Sequence, residues 1–264
     1  MTKRITISTL DAMKASGDKF VMITAYDATV ARLASEAGAE TILVGDSLGM
    51  VLQGHETTIP VSLDAMVYHT ECVARAKPRS LIVADLPFMS FSNSDDALHA
   101  STQLMQAGAQ MVKLEGGTWL SDSINRLVER GVPVCAHLGL TPQSVNVFGG
   151  YRVQGRTPKE AKSILADAVE IQDAGASLLV LECIPAELAG DIASKLDIPV
   201  IGIGAGGGTD AQVLVLHDML GMTESAPKFV QNFMKGADSI QDALATFVRA
   251  VKSGEYPQEE HTYS

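Results

Sequence analysis

The sequence of 264 residues predicts an α/β protein, a single (β/α)8 or TIM barrel with an N-terminal helix and C-terminal helices. Eight short apolar runs of strand type alternate with mostly helical stretches, which is the order of such a barrel. The length is close to the roughly 250 residues that this barrel typically needs. Ala-Gly-Ala triplets at 37–39, 107–109 and 174–176 each precede a strand whose acid follows seven or eight residues after the glycine, as in a repeated half-unit. No linker interrupts the pattern, so we expect one domain over residues 1–264.

The first four predicted strands are separated by helices with clear start and stop signals. Residues 8–11 resemble a capping box, which predicts a short first helix. Gly38 and Gly108 lie just past predicted helices, where glycine takes a positive φ without penalty, and Pro78 ends another helix. The predicted helices are 8–17, 28–37, 62–76 and 94–107, and the predicted strands are 20–24, 41–44, 81–85 and 111–117.

The second half continues this alternation with two irregularities. Residues 138–156 have no clear periodicity and are long for a loop in a compact domain, which is typical of a functional lid. Few residues separate the seventh and eighth strands, so the helix between them is expected to be short or missing. The predicted helices are 118–130, 158–174, 186–196, 228–234 and 239–251, and the predicted strands are 132–137, 178–182, 198–204 and 213–216.

Composition narrows the class of partner. The formal net charge of -11 argues against binding to nucleic acid or to an anionic membrane surface and favours small-molecule partners. The three cysteines are far apart with no CxxC pair, which argues against a disulfide frame or a zinc site and favours a reducing cytosol. The sequence has no apolar signal segment at its start and no run of 18 apolar residues. We therefore expect a cytoplasmic protein.

Polar residues recur where the predicted strands end, the edge at which such barrels carry out catalysis. Asp46 shows the pattern, since the apolar run 41–44 ends there between Gly45 and Gly49, which allow backbone and ligand to approach closely. So many acids would repel one another unless a cation neutralised them. Mg²⁺ prefers a few carboxylates together with waters and substrate oxygens, whereas zinc would require more histidine or cysteine. The alternative is a purely structural set of capping acids. The polar residues at strand ends are Asp27, Asp46, Asp85, Glu115, His137, Glu182 and Asp218.

Other motifs carry weaker signals. Lys113 lies two residues before Glu115 and points the same way on a strand, so it either binds an anionic substrate group or forms a Schiff base; a salt bridge is compatible with the first role. Residues 202–207 match GxGxxG, but no convincing helix and ribose-binding acid follow, so a dinucleotide site is not expected. Glycines at this barrel position can also cradle phosphate. Cys183 has no evident activating base and is interpreted as a strand residue rather than a nucleophile.

Seven separated motifs resemble one known family almost end to end. They are ITAYD at 23–27, VGDSLGM at 44–50, ADLPFM at 84–89, KLEGG at 113–117, HLGLTPQSVN at 137–146, FGGYRVQGR at 148–156 and IPVIGIGAG at 198–206. On these motifs the chain resembles the ketopantoate hydroxymethyltransferase family. Ala211 departs from the pattern, which has glycine at that position in the turn.

The resemblance implies a Mg²⁺-dependent transfer of a hydroxymethyl group from 5,10-methylenetetrahydrofolate to 3-methyl-2-oxobutanoate, giving 2-dehydropantoate, by a homodecamer. It implies that Asp46 and Asp85 bind the metal, with Glu115 as a third ligand, directly or through water. It further implies that Ser47 and Lys113 contact the 2-oxo acid, which the metal ligands Asp46 and Asp85 also help to bind, and that Glu182 is the general base. Two alternatives stay open: a Mg²⁺-dependent lyase or mutase of 2-oxo acids in the phosphoenolpyruvate mutase and isocitrate lyase group, and a non-catalytic binding protein.

Overall fold

A closed barrel of eight parallel strands forms the centre of the molecule. The structure is a computed structural model that describes residues 4–264. The strands pair in chain order, and the eighth pairs with the first to close the barrel. This confirms the predicted (β/α)8 fold. The strands are β1 Phe20–Thr24, β2 Thr41–Val44, β3 Leu81–Asp85, β4 Met111–Glu115, β5 Val134–Gly139, β6 Leu178–Glu182, β7 Val200–Ile203 and β8 Ala211–Leu214.

Helices surround the barrel, and several begin and end as the sequence predicts. Asp27, Ser62, Thr157 and Ser239 cap helix N-termini with their side chains, which accept backbone N–H groups that have no partner inside the helix. The helices are α1 Ile7–Ser16, α2 Ala28–Ala37, α3 Leu48–Val51, α4 Leu63–Arg75, α5 Ser94–Ala107, α6 Ser121–Glu129, α7 Val145–Phe148, α8 Pro158–Asp173, α9 Ala186–Lys195, α10 Leu216–Met219 and α11 Ile240–Ser253.

The strand register brings the polar strand ends together. Asp85 on β3 is paired with Lys113 on β4, and Glu115 on β4 with His137 on β5. β6 continues the series, since Glu182 is paired with the last residue of β5. The opposite end of the barrel is covered by α1, where the Lys14 ammonium donates to Asp210 at 2.7 Å, just before β8. The fold therefore leaves the carboxyl ends of the strands open for a site.

The predicted helix 228–234 is not helical in the structure. Phe229 and Phe233 are buried, and the Phe233 ring packs against Phe247 and Tyr256 with ring centroids 5.1 and 5.5 Å apart. Seven residues are too few for a helix to be stable on its own, so the packing of these aromatic side chains determines the backbone.

The eighth strand begins and ends two residues earlier than predicted. Pairing of β8 with both β1 and β7 fixes its position, and Leu216 begins α10 instead. His217 therefore lies in a one-turn helix. The predicted loop 138–156 also contains α7 and a 3₁₀ turn, Pro142–Ser144.

The connection between β7 and β8 lacks a helix, as predicted. A Cβ at Gly208 would lie 3.1 Å from the Cα of Gly190, so α9 and this loop approach each other at two glycines. Of the helices in residues 4–264, none is both long and apolar enough to cross a membrane.

Candidate active site

A cavity of about 810 Å³ opens at the carboxyl ends of the strands. Its floor is built from residues at the ends of β2 to β6, and its upper wall from loops, including Tyr151 and Arg152 of the predicted lid. The Tyr151 hydroxyl reaches the Met50 sulfur at 3.4 Å across this wall. The lid function of residues 138–156 stays a prediction. All six sequence-predicted site residues line the cavity: Asp46, Ser47, Asp85, Lys113, Glu115 and Glu182.

Asp46 and Asp85 are buried next to each other. The backbone N–H of Asp46 donates to Asp85 Oδ2 at 3.0 Å. Burial, together with repulsion from Asp85 and Glu115, raises the pKa of Asp46 well above its usual range. Burial also raises the pKa of Asp85, although Lys113 partly offsets this. A Cβ at Gly45 would lie 2.8 Å from Ser47 Oγ, so the glycine permits this close packing.

Lys113 and Glu115 point into the barrel mouth together, as their spacing predicts. The Lys113 ammonium lies 2.9 Å from Asp85 Oδ1 and 3.7 Å from Glu115 Oε1. Burial opposes the charge on Lys113, but the attraction of Asp85, Glu115 and Asp46 outweighs it and raises the lysine pKa. An amine that stays protonated is a poor nucleophile, which favours anion binding over a Schiff base.

His137 lies between Glu115 and Glu182. Its Nδ1 is 3.3 Å from Glu115 Oε1 and 3.2 Å from Lys113 Nζ, and its Nε2 is 3.2 Å from Glu182 Oε2. Burial and Lys113 lower the pKa of His137, but Glu115 and Glu182 prevail and raise it to about 9. Burial alone would raise the pKa of Glu115, whereas contact with His137 and the charge of Lys113 bring it below its usual value.

Two further buried residues, Gln143 and Tyr26, support the site although no local sequence pattern marks them. Gln143 donates its amide N–H₂ to Asp46 Oδ2 and to the Leu86 carbonyl, both at 2.9 Å. Tyr26 places its hydroxyl 2.9 Å from Ser47 Oγ. Both lie in motifs shared with the family, HLGLTPQSVN and ITAYD, which are the signal for them in the sequence.

Other strand-end and motif residues lie outside the carboxylate cluster. Asp27 caps α2 by accepting from Thr29 N and Val30 N at 2.7 and 2.9 Å, so the capping interpretation holds for this acid. Asp218 lies in α10 and accepts the Thr223 hydroxyl. Burial, followed by the charge of Glu182, raises the pKa of the Cys183 thiol, in agreement with a non-nucleophilic cysteine.

The donor set fits a hard divalent cation. With every carboxyl ionised, four carboxylates face only two cationic groups, Lys113 and protonated His137, and the formal charge is minus two. Asp85 Oδ1 is buried and has the Lys113 ammonium 2.9 Å away, outside the angles of a hydrogen bond, so it can still bind a cation. Over residues 4–264, no three or more His, Cys, Asp or Glu side chains form a ready-made metal cage. The excess of carboxylate charge suits an ion that takes few protein ligands and completes its shell with water and substrate oxygens. The four carboxylates are those of Asp46, Asp85, Glu115 and Glu182.

Comparison with known proteins decides the family. The model of the family described as ketopantoate hydroxymethyltransferase matches residues 4–259. The chain belongs to the ketopantoate hydroxymethyltransferase family. Two relatives carry the name 3-methyl-2-oxobutanoate hydroxymethyltransferase. The relative from Pseudomonas entomophila (strain L48), numbered 2, is 57% identical over 262 residues, and that from Marinobacter nauticus is 57% identical over 260 residues. Each alignment covers 98% of both chains.

Solved structures share the fold of this ketopantoate hydroxymethyltransferase family member at low sequence identity. Phosphoenolpyruvate phosphomutase from Streptomyces platensis subsp. rosaceus has a TM-score of 0.61 at 16% identity, covering 94% of this chain and 88% of that one. 2,3-Dimethylmalate lyase, a member of the PEP mutase/isocitrate lyase superfamily, has a TM-score of 0.57 at 16% identity, covering 79% and 80%. At such identity the likeness concerns the fold alone.

Proposed function

We propose that this protein transfers a hydroxymethyl group from 5,10-methylenetetrahydrofolate to 3-methyl-2-oxobutanoate and so forms 2-dehydropantoate for pantothenate biosynthesis. The observation that carries the proposal is membership of the ketopantoate hydroxymethyltransferase family over residues 4–259, combined with a cavity lined by all six expected site residues.

The metal we assign is Mg²⁺, with Asp46, Asp85 and Glu115 as the residues that would hold it. When bound, Mg²⁺ supplies Lewis-acid stabilisation of the negative charge that develops on the keto acid. Support comes from the excess of buried carboxylates over cations and from the raised pKa of Asp46. Burial and neighbouring carboxylates disfavour the ionised form of Asp46, and a cation nearby would stabilise that form.

Binding of the keto acid is assigned to Ser47 and Lys113. The Lys113 ammonium keeps its charge among the buried carboxylates and can attract the substrate carboxylate. Ser47 Oγ is oriented by the Tyr26 hydroxyl, so it is positioned before substrate arrives. Asp46 and Asp85 complete the substrate subsite through their position beside these two groups.

The general base is assigned to Glu182, which would remove the proton from C3 of the keto acid. The Glu182 side chain is 15% exposed and lines the cavity, so one carboxylate oxygen can face substrate while the other lies near His137 Nε2. His137 in turn contacts Glu115, so the ring is held between the two carboxylates. After losing its proton, C3 is the nucleophile that attacks the one-carbon unit.

Two further properties are proposed with the function. We propose a homodecamer, which membership of this family supports. We also propose a cytoplasmic location, which three free cysteines, two of them buried, support.

One assay tests the proposal against its rivals. The protein is incubated with 3-methyl-2-oxobutanoate, Mg²⁺ and methylenetetrahydrofolate, and 2-dehydropantoate is sought by mass spectrometry. Product that depends on both Mg²⁺ and the folate supports the transferase. Cleavage or rearrangement of 2-oxo acids without folate would instead support a lyase or mutase, and binding without turnover would support a binding protein.

A further inference from the structure

The cavity holds a second polar group away from the carboxylate cluster, the imidazole of His217. His217 lies in α10, just after β8, whereas Glu182 ends β6, so β7 separates the two residues around the barrel. The His217 ring packs on Tyr26 with ring centroids 5.8 Å apart and planes at 41°. The Tyr26 hydroxyl contacts Ser47, so His217 borders the region that we assign to the keto acid.

Protonation of the His217 ring breaks no existing hydrogen bond at Nδ1 to the described residues. Its Nδ1 is buried and has no hydrogen-bond partner within residues 4–264. His137 differs, because both of its ring nitrogens lie within 3.3 Å of charged side chains. Burial lowers the pKa of His217 in spite of the attraction of Asp218 and Asp27, so the ring is neutral near pH 7 and can accept a proton.

The proposed reaction requires proton transfers that one base does not cover. Methylenetetrahydrofolate, water and the keto acid give tetrahydrofolate and 2-dehydropantoate. The carbon C3 loses one proton, and water loses another as its oxygen bonds to the methylene carbon. The two folate nitrogens keep the electron pairs of their broken bonds to that carbon and each gain one proton. The C3 electron pair forms the new carbon–carbon bond. Glu182 accepts the C3 proton and releases it to solvent, from which one folate nitrogen is protonated. The proton that moves from water to the other folate nitrogen still needs a carrier.

We propose that His217 is the proton carrier of the one-carbon half of this reaction. It accepts a proton from the attacking water and delivers it to a folate nitrogen as the carbon–nitrogen bond breaks, so the imidazole ends each cycle neutral. This inference rests on the proposed function. Two other candidates in the cavity are less suited, because Asp218 already accepts the Thr223 hydroxyl and His55 is exposed at the rim.

The test separates the two halves of the reaction in the variants His217→Asn and His217→Gln. Exchange of the C3 hydrogen of 3-methyl-2-oxobutanoate in D₂O, with Mg²⁺ and without folate, reports proton removal by Glu182. Formation of 2-dehydropantoate from methylenetetrahydrofolate reports the full reaction. We expect exchange within about twofold of the parent and transfer reduced by about 10²-fold or more, the usual size of a lost proton-transfer group. The matched control is His99→Asn on the exposed face of α5, which should resemble the parent in both assays.

Each other outcome is decisive. Parental transfer in either His217 variant would overturn the inference and leave the proposed function intact. Equal loss of exchange and transfer in both variants would mean that His217 is structural. Loss of transfer in His55→Asn or Asp218→Asn, with transfer retained in His217→Asn, would assign the proton to that residue instead. A parent protein that exchanges C3 hydrogen but forms no 2-dehydropantoate would reject the proposed function and this inference with it.

Discussion

The imidazole of His137 and the carboxylate of Glu182 lie on neighbouring strands with Nε2 and Oε2 3.2 Å apart. The other ring nitrogen of His137 is 3.3 Å from Glu115. The proposed base and a proposed metal ligand therefore contact the same imidazole. Both carboxylates favour the protonated form of this ring.

In Glu182→Gln the side chain at position 182 keeps its shape but loses its basicity. We expect 2-dehydropantoate formation to fall by about 10²- to 10⁴-fold, the usual cost of losing a general base. Exchange of the C3 hydrogen in D₂O should fall in parallel, while Mg²⁺ and keto-acid affinity change little. Undiminished exchange with parental affinity would falsify the base assignment and direct attention to His137.

Asp46→Ala and Asp85→Ala should weaken Mg²⁺ binding and abolish detectable turnover, because each removes one of few charged ligands. Isothermal titration with Mg²⁺ in the presence of keto acid measures the first effect. The matched control is Asp27→Asn, which also changes a strand-end carboxylate but one that caps α2 outside the cluster, and asparagine is an equally good cap. Parental Mg²⁺ affinity in both alanine variants would refute the metal site.

Lys113→Ala should raise the KM for 3-methyl-2-oxobutanoate, since a hydrogen bond to a charged group contributes about 1.5 to 3 kcal/mol. Steady-state kinetics at saturating folate measures this change. Borohydride reduction of the parent protein with keto acid is the accompanying check, because a protonated Lys113 should form no Schiff base. Covalent trapping of substrate at Lys113 would contradict the anion-binding role.

Gly45→Ala should impair substrate binding more than stability. The new Cβ would lie 2.8 Å from Ser47 Oγ, so the Ser47 side chain must move and lose its contact with Tyr26. We expect a raised KM for the keto acid with a small change in Tm. Gly207→Ala is the control, since its Cβ would meet only ordinary contacts beginning at 3.7 Å. A parental KM in Gly45→Ala would show that Ser47 need not be held in place.

In the metal-free protein, His137 should titrate near pH 9, which NMR of its ring can follow with His137→Gln for assignment. A pKa raised in the folded state stabilises the protein below the unfolded pKa near 6.5, and this stabilisation is lost as the pH rises through about 9. The difference in unfolding free energy between parent and His137→Gln should therefore shrink across this interval. A His137 resonance that titrates below 6.5 would contradict this assignment.

The barrel was predictable because its signals are local. Glycines such as Gly38 and Gly108 mark helix ends, and short apolar runs mark buried strands. The proximity of Asp85, Lys113 and Glu115 was also predictable from the sequence, since parallel strands end at one edge and residues two apart on a strand share a face. These inferences need no knowledge of distant contacts.

The remaining features depend on contacts between distant parts of the chain. Gln143 reaches Asp46 across 97 residues, and nothing in the local pattern around either residue indicates this bond. The irregular backbone at 228–234 is fixed by the packing of Phe233 on α11, and the helix propensities of these residues do not indicate that contact. Asp27 and Asp46 both follow strands, yet only contacts decide that one caps a helix and the other enters the cluster.

The pairing of Glu115 with His137, and of Gly139 with Glu182, makes β5 intolerant of changes in length. Inserting or deleting one residue within a strand reverses the direction of every side chain beyond that point. A single-codon insertion at the middle of β5 would turn His137 away from the barrel mouth and disconnect Glu182 from Glu115 and Lys113. Length variation among descendants of this gene should therefore be confined to the loops, with β5 changing only by substitution.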